Sequence, residues 1–442
     1  MGLVRSIGRW SLTALVINCI IGSGIFGVPG ELIGAVGRAS PIAMIIAGLG
    51  MGVILLCFAE VGSQFSEPGG VYLYARASFG RLVGLQVGWF WFLSIMASAA
   101  ANANLFSLYL AGFAPWTAHG WQRVLVLAGV VSIPAAANYV GVRRGAALSD
   151  FFTVAKLLPL TALVLLGLLQ FSRHAEIMRA SEIAAPGWAA WAKALLLLAF
   201  EYGGFEDAMM PAGEFKDPRR AIPFSLVAGL TVCIVLYTLL QFVIVATIGT
   251  AQTDRALATT AARLMGRLGA AFVGIAAMLS TYGCISATML NAPRFLYSLA
   301  ERGEFPRMFS RLHRRFNTPH WSVVLFAALA WLLAVTGTFR WTVMLSAGAT
   351  IVFDGAICAA LVRLRHDQPS RVAFRLPFGS AFSALGITFC VVLLTQLRLR
   401  EVLFMGITCM IAAGIWWCTR RRTLSTASSQ SGSSLDGIAP VP

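Results

Sequence analysis

Charge is what this chain of 442 residues has least of. Asp, Glu, Lys and Arg make up 12 % of it, about half the usual share of a soluble domain, whereas 58 % is hydrophobic. Too little polar surface remains to cover so large a core, so an ordinary soluble protein is excluded. The same numbers exclude disorder over most of the length. Lysine occurs only at Lys156, Lys193 and Lys216, and every other basic residue except five histidines is arginine. No two histidines stand at a metal-ligand spacing. The eight cysteines form no CxxC or Cys/His cluster and nearly all lie in apolar runs, so they read as small core residues. Neither a disulfide framework, a bound metal nor a cofactor is expected. There is no GxxxxGK[ST] phosphate loop, and the longest polar connection, near 301–319, is about 20 residues. That argues against an ATP-driven pump. With no nucleophile–base pair in view, an enzyme is not expected either.

What is present is apolar length. Runs of about 20 residues, enough to cross a bilayer as helix, fall at roughly 11–36, 41–65, 82–114, 122–142, 149–171, 188–213, 222–249, 268–299, 321–339, 341–362, 377–397 and 401–418. The pattern predicts an all-α polytopic membrane protein with about twelve transmembrane helices. A β-barrel would alternate over segments of about 10 residues, and none does. Arg5 and Arg9 precede a run too long for a signal-peptide core, so this run is expected to be the first span. The net charge of +16 would point to nucleic acid in a soluble protein. Here the inner loops of a membrane protein account for it, and no nucleic-acid partner is expected. With the N-terminus inside and the spans alternating, the inner segments hold roughly twice as many Lys and Arg as the outer ones, which predicts both termini in the cytoplasm. The 419–442 stretch, low in complexity from about Ser425, is expected to be a disordered cytoplasmic tail.

Two spans carry their own interruptions. The first contains Gly22-Ser23-Gly24-Ile25-Phe26-Gly27-Val28-Pro29-Gly30, where clustered glycines and a proline weaken a helix. Broken backbone survives at membrane depth only where protein or a cavity surrounds it. It leaves N–H groups free for an anion and carbonyls free for a cation. Tight helix packing by glycine is the plainer reading. The sixth span repeats the feature in Phe200-Glu201-Tyr202-Gly203-Gly204-Phe205-Glu206-Asp207, with three acids beside Gly-Gly. Carboxylates in an apolar span are expensive and usually functional. Paired interruptions in corresponding spans of two halves point to a transport site.

On these residues the chain resembles the amino acid–polyamine–organocation superfamily of secondary transporters. The resemblance runs through Ile21-Gly22-Ser23-Gly24-Ile25-Phe26; Glu60, Pro68-Gly69-Gly70-Val71-Tyr72 and Gly88-Trp89; Tyr202-Gly203-Gly204-Phe205-Glu206 and Pro211-Ala212-Gly213-Glu214-Phe215-Lys216-Asp217-Pro218; and Asn291-Ala292-Pro293-Arg294 with Glu301-Arg302-Gly303-Glu304-Phe305-Pro306. It implies the leucine-transporter fold. After a cytoplasmic N-terminus (1–10) come inverted repeats of five helices over roughly 11–171 and 188–362, helix 11 at 377–397 and helix 12 at 401–418. It further implies a secondary active transporter of amino acids in the bacterial plasma (inner) membrane, working by alternating access with proton symport. An exchanger of amino acids or amines, such as polyamines or cationic amino acids, is the alternative.

The resemblance also suggests roles for individual residues. Backbone N–H groups of Gly22, Ser23 and Gly24 would hold a substrate α-carboxylate. Carbonyls near Ile20, Phe200 and Glu201 would meet the α-amino group. Phe200 and Phe205 match aromatics that shape or gate the pocket, with Tyr202 between them. Glu201 stands where the family has a small or apolar residue; it is either an attractor of a cationic group or a protonated acid bonded to broken backbone. Glu206 stands where the family often has Glu and fits a hydrogen-bonding or protonation role. Lys156 is the one basic residue deep in an expected span, and a buried amine can cycle its proton near neutral pH. The run Asn138-Tyr139-Val140-Gly141-Val142-Arg143, followed by Lys156, resembles proton-coupled relatives in which a lysine replaces sodium between spans one and eight. The hydroxyls of Ser280 or Thr281 would then lie nearby. A lysine snorkelling to the interface is the other reading. On the third span Ser98 and Asn102 share a face, which either lines the pocket or bonds between helices. Asp354 is a further intramembrane acid with no assigned partner.

Overall fold

The structure, a computed structural model, describes residues 8–65, 69–141, 145–170, 186–209, 215–367 and 374–433; the side chains of 145–155, 218 and 420–433 are outside that description. Of the motif residues named above, Pro68, Val142, Arg143 and 211–214 lie outside the described residues, as does 434–442.

Each run expected to span carries helix among the described residues, and these hold no β-strand element. In chain order the helices are α1 (Arg9–Ile20), α2 (Gly24–Val36), α3 (Ser40–Ser63), α4 (Gly70–Phe79), α5 (Arg81–Leu110), α6 (Gly120–Val140), α7 (Gly145–Leu169), α8 (Trp188–Tyr202), α9 (Pro218–Ile248), α10 (Ala256–Glu301), α11 (His320–Thr336), α12 (Phe339–Asp367), α13 (Gly379–Leu394) and α14 (Leu399–Ser433). Seven stretches among the described residues are long and apolar enough to cross a membrane, and four shorter apolar helices accompany them. The protein is therefore an all-α, multi-pass membrane protein.

The first and sixth spans each stop midway, at Ile20 and Tyr202, beside the interruptions read in the sequence. The connection after α3 differs from the sequence expectation. A short helix, α4, occupies the connection after α3; it starts behind Gly69 (φ 153°) and ends at Gly80 (φ 86°), two conformations that a side chain would strain. The last helix runs from Leu399 to Ser433. Extending a formed helix gains one hydrogen bond per residue fixed, whereas starting one does not.

Packing buries most of α2, from Gly24 to Gly30 without a gap, and one face of α1. α1 lies on α9, α2 lies on α8, α12 runs along α5, and α10 contacts both α5 and α7. Two charged clasps hold one end of the bundle. Glu60, fully buried on α3, takes both Arg365 nitrogens at 2.6 Å and the Leu376 N–H at 2.8 Å. Glu304, also buried, meets Arg81 at 3.0 Å, Arg76 at 3.4 Å and the Tyr72 hydroxyl at 2.6 Å. Burial and this hydrogen bond push the Tyr72 hydroxyl above its ordinary range, so it stays a donor. At the opposite end Glu31 on α2 pairs with Arg340 on α12 at 3.2 Å, and both side chains are part-exposed.

Candidate functional site

The first break is built by the residues after α1. Ile21 leaves the helical region (φ −74°, ψ 76°), and Ser23 opens α2 without a side-chain cap. Carbonyls that would continue the helix therefore point elsewhere, and four of them meet side chains from three other helices, α7, α9 and α10. Lys156 Nζ on α7 donates to Asn18 O at 2.9 Å and to Ile21 O at 2.6 Å. The Tyr237 hydroxyl on α9 donates to Ile20 O at 3.0 Å. Ser280 Oγ on α10 donates to Gly22 O at 3.3 Å. Lys156 is 5 % exposed. Its ammonium is compensated by the dipoles of the Asn18 and Ile21 carbonyls.

The second break interlocks with the first. α8 ends at Tyr202, and Gly204 takes φ 96°, a left-handed conformation natural to glycine. A Cβ on Gly204 would sit 2.6 Å from the Cys19 carbonyl oxygen, so the two backbones touch. The reciprocal contact is at Gly24, where a Cβ would sit 3.0 Å from Glu201 Cα. Each break thus receives the other through a glycine. Glu206 turns back to accept the Gly204 N–H at 2.9 Å, and Asp207 accepts Trp91 Nε1 at 3.3 Å.

The residues singled out in the sequence separate into two groups. Ile20, Gly22, Ser23, Gly24, Lys156, Ser280, Glu201 and Glu206 meet around the breaks. Glu201 is 1 % exposed, and among the described residues both its carboxylate oxygens lack a hydrogen-bond partner. Thr281 is not among them: its hydroxyl bonds back to Ala277 O and Met278 O in its own helix. Phe205 packs edge-on against Phe58 of α3 at 5.2 Å, and the Tyr202 hydroxyl donates to Met44 O at 3.0 Å. Both side chains fasten the sixth span to α3, and the Tyr202 ring also packs at 5.3 Å on Tyr237, whose hydroxyl holds Ile20 O. Phe200 is half-buried. On α5, Asn102 Nδ2 donates to Ser98 O at 2.7 Å and its Oδ1 is buried without a partner. The same helical stripe continues to Leu105, against Gly27, and to Tyr109, whose hydroxyl donates to Phe26 O at 2.9 Å. Ser98 and Asn102 therefore lie on the α5 face that meets α2.

Sequence reasoning missed Tyr237 and Cys284. Both lie in otherwise apolar runs, and neither carries a local signal. Cys284 faces the Ser23 N–H, one of the donors expected to hold a carboxylate. Asp354, fully buried on α12 with both oxygens unpartnered, lies in electrostatic reach of Glu206.

Comparison with known proteins identifies the family. The chain is 26 % identical over 341 residues to the serine/threonine exchanger SteT of Bacillus subtilis, covering 74 % of this chain and 76 % of that one. It is 25 % identical over 409 residues to the methylthioribose transporter of the same organism, covering 88 % and 87 %. It is 24 % identical over 415 residues to the branched-chain amino acid permease BcaP, again from Bacillus subtilis, covering 89 % and 88 %. Residues 7–416 match the family model for amino acid permeases, and the chain belongs to that family of membrane transporters.

Proposed function

We propose that the chain carries amino acids across the bacterial inner membrane as a proton-coupled symporter, with the substrate held between the two breaks. In this reading twelve spans form a five-plus-five inverted repeat with two added helices, and both termini face the cytoplasm. The uncapped start of α2 receives the α-carboxylate at Ser23 and Gly24, where the helix dipole favours an anion; the Gly22 N–H is already given to Ile20 O at 2.7 Å. The spans formed by α1–α2, α3, α8 with the residues after it, and α9 rock against the remainder, exposing the site to each side in turn.

The observation that carries the coupling is Lys156. Its ammonium donates to two carbonyls on the first break, so loss of the proton removes a cation and weakens its hold on that break. Those carbonyls are then released at the site where substrate binds, which links protonation to the shape of the binding site. The charge sits where a sodium ion would otherwise coordinate, so transport needs no sodium. The test is purified protein in liposomes. An imposed proton gradient should drive amino acid uptake without sodium. Lys156→Met should abolish gradient-driven accumulation while substrate still protects the protein against thermal unfolding. Equal accumulation by both proteins would overturn the assignment.

A second reading, exchange with selection of a cationic group, is favoured by Glu201. Its carboxylate oxygens are unpartnered and its stem packs on Gly24, so a ligand ammonium or guanidinium would compensate it. Counterflow of lysine, arginine or putrescine without a proton gradient, lost in Glu201→Gln, is the expected result. Unchanged counterflow in that variant would refute it.

A further inference from the structure

The turn between α10 and α11 carries chemistry that transport does not use. A cavity of about 490 Å³ is bounded by Arg311, Leu312, His313, Arg314, His320 and Trp321. Its wall is held in place by main-chain bonds: His313 N–H to Thr318 O, and Asn317 N–H to His313 O, both at 2.9 Å. The Thr318 hydroxyl ties the turn to Tyr139 O on α6 at 2.7 Å. His313 stacks on Phe316, and its Nδ1 accepts the N–H groups of Arg315 and Phe316 at 3.3 Å, which leaves the other ring nitrogen as a donor. Neither the Arg311 nor the Arg314 side chain is ion-paired among the described residues. His320 Nδ1 is buried without a partner, and His320 begins α11, whose start has no side-chain cap. Two unpaired guanidinium groups, two imidazoles and an uncapped helix start therefore converge on one cavity with no acid in its wall. That is the donor set of a phosphate site.

The setting says which phosphate. Along α11, Trp321, Val324 and Leu332 are 45 %, 49 % and 54 % exposed, a stripe that faces lipid in an apolar helix. Leu312 in the cavity wall is 43 % exposed. The cavity thus sits at the end of a lipid-facing stripe with a tryptophan at its rim, the depth at which headgroups lie. We propose that it binds the phosphate of an anionic phospholipid.

The experiment uses the full chain in detergent, delipidated and titrated with phosphatidylglycerol, phosphatidylcholine or inorganic phosphate. Binding is read by native mass spectrometry and by thermal unfolding. Phosphatidylglycerol should remain bound and raise the unfolding temperature, with phosphatidylcholine and inorganic phosphate much weaker. Arg311→Gln and Arg314→Gln should each lower phosphatidylglycerol affinity about fivefold, and both together roughly 25-fold, while Arg311→Lys with Arg314→Lys retains most of it. Equal retention of phosphatidylglycerol by wild type and the double glutamine variant would overturn the proposal. Protection by inorganic phosphate as strong as by phosphatidylglycerol would show a soluble anion site and overturn the lipid assignment. If the double variant unfolds during purification, the lysine pair and the single variants supply the same comparison.

Discussion

Gly204→Ala is the sharpest probe of the interlocked breaks. Its geometry imposes two costs. Its φ of 96° is outside the range that an L side chain adopts freely, at about 1–2 kcal/mol. Its new Cβ would lie 2.6 Å from the Cys19 carbonyl oxygen, so the backbones must separate by about 0.8 Å to regain ordinary contact, and overpacking of this kind costs about 1–3 kcal/mol. The sum, about 2–5 kcal/mol, falls on the segment whose next carbonyls hold Lys156 and Tyr237. A value near 3 kcal/mol corresponds to roughly a hundredfold shift in any two-state population that depends on this contact. The control is Gly406→Ala on α14, where nothing lies within 4 Å of the added Cβ and helix propensity favours alanine by about 0.5–1 kcal/mol. Thermal unfolding in detergent and initial uptake rates in liposomes should separate the two, with Gly204→Ala falling by several degrees and losing most transport while Gly406→Ala stays at or above wild type. If both variants unfold together and transport alike, the breaks do not touch as described.

The charged clasps give further tests. Glu60→Gln leaves the part-buried Arg365 against a neutral group and should cost about 1.5–3 kcal/mol, seen as poor recovery of folded protein; Arg365→Lys alone should also destabilise, because one ammonium cannot reproduce the bidentate pairing. Arg340→Gln removes a part-exposed pair with Glu31, so stability should change by less than about 1 kcal/mol. Any larger effect of that variant should appear in transport rate.

Much of this architecture is legible along the chain, because membrane burial writes itself locally. Twenty apolar residues announce a span, and glycines beside carboxylates announce a break. Lys156 stands out for the same reason: a lone cation within an apolar run. What is not legible depends on partners far apart. Glu60 belongs to the resemblance, yet its counter-ion is Arg365, 305 residues on. The hydroxyl of Tyr237 reaches Ile20 across 217 residues. Phe205 reads as a gate beside Gly204, but which way an aromatic turns after a broken helix depends on the neighbour that receives it, here Phe58. The helix α4 escapes notice because ten residues are too few to span and too mixed in polarity to announce themselves.

The Glu60 clasp has a practical consequence for engineering. One carboxylate holds Arg365, near the end of α12, and the N–H of Leu376, just before α13, while Arg365 also reaches Leu376 O at 2.6 Å. The two ends of the 368–373 connection are thereby brought together by side chains that lie outside it. The entropic cost of bringing Asp367 and Phe374 together is met by contacts that do not depend on how much chain lies between them, and each doubling of a flexible connection adds only about 0.6 kcal/mol. A peptide tag or a labelling cysteine introduced between Asp367 and Phe374 is accordingly the insertion this protein should tolerate best, giving a reporter on one face of the bundle without touching the breaks.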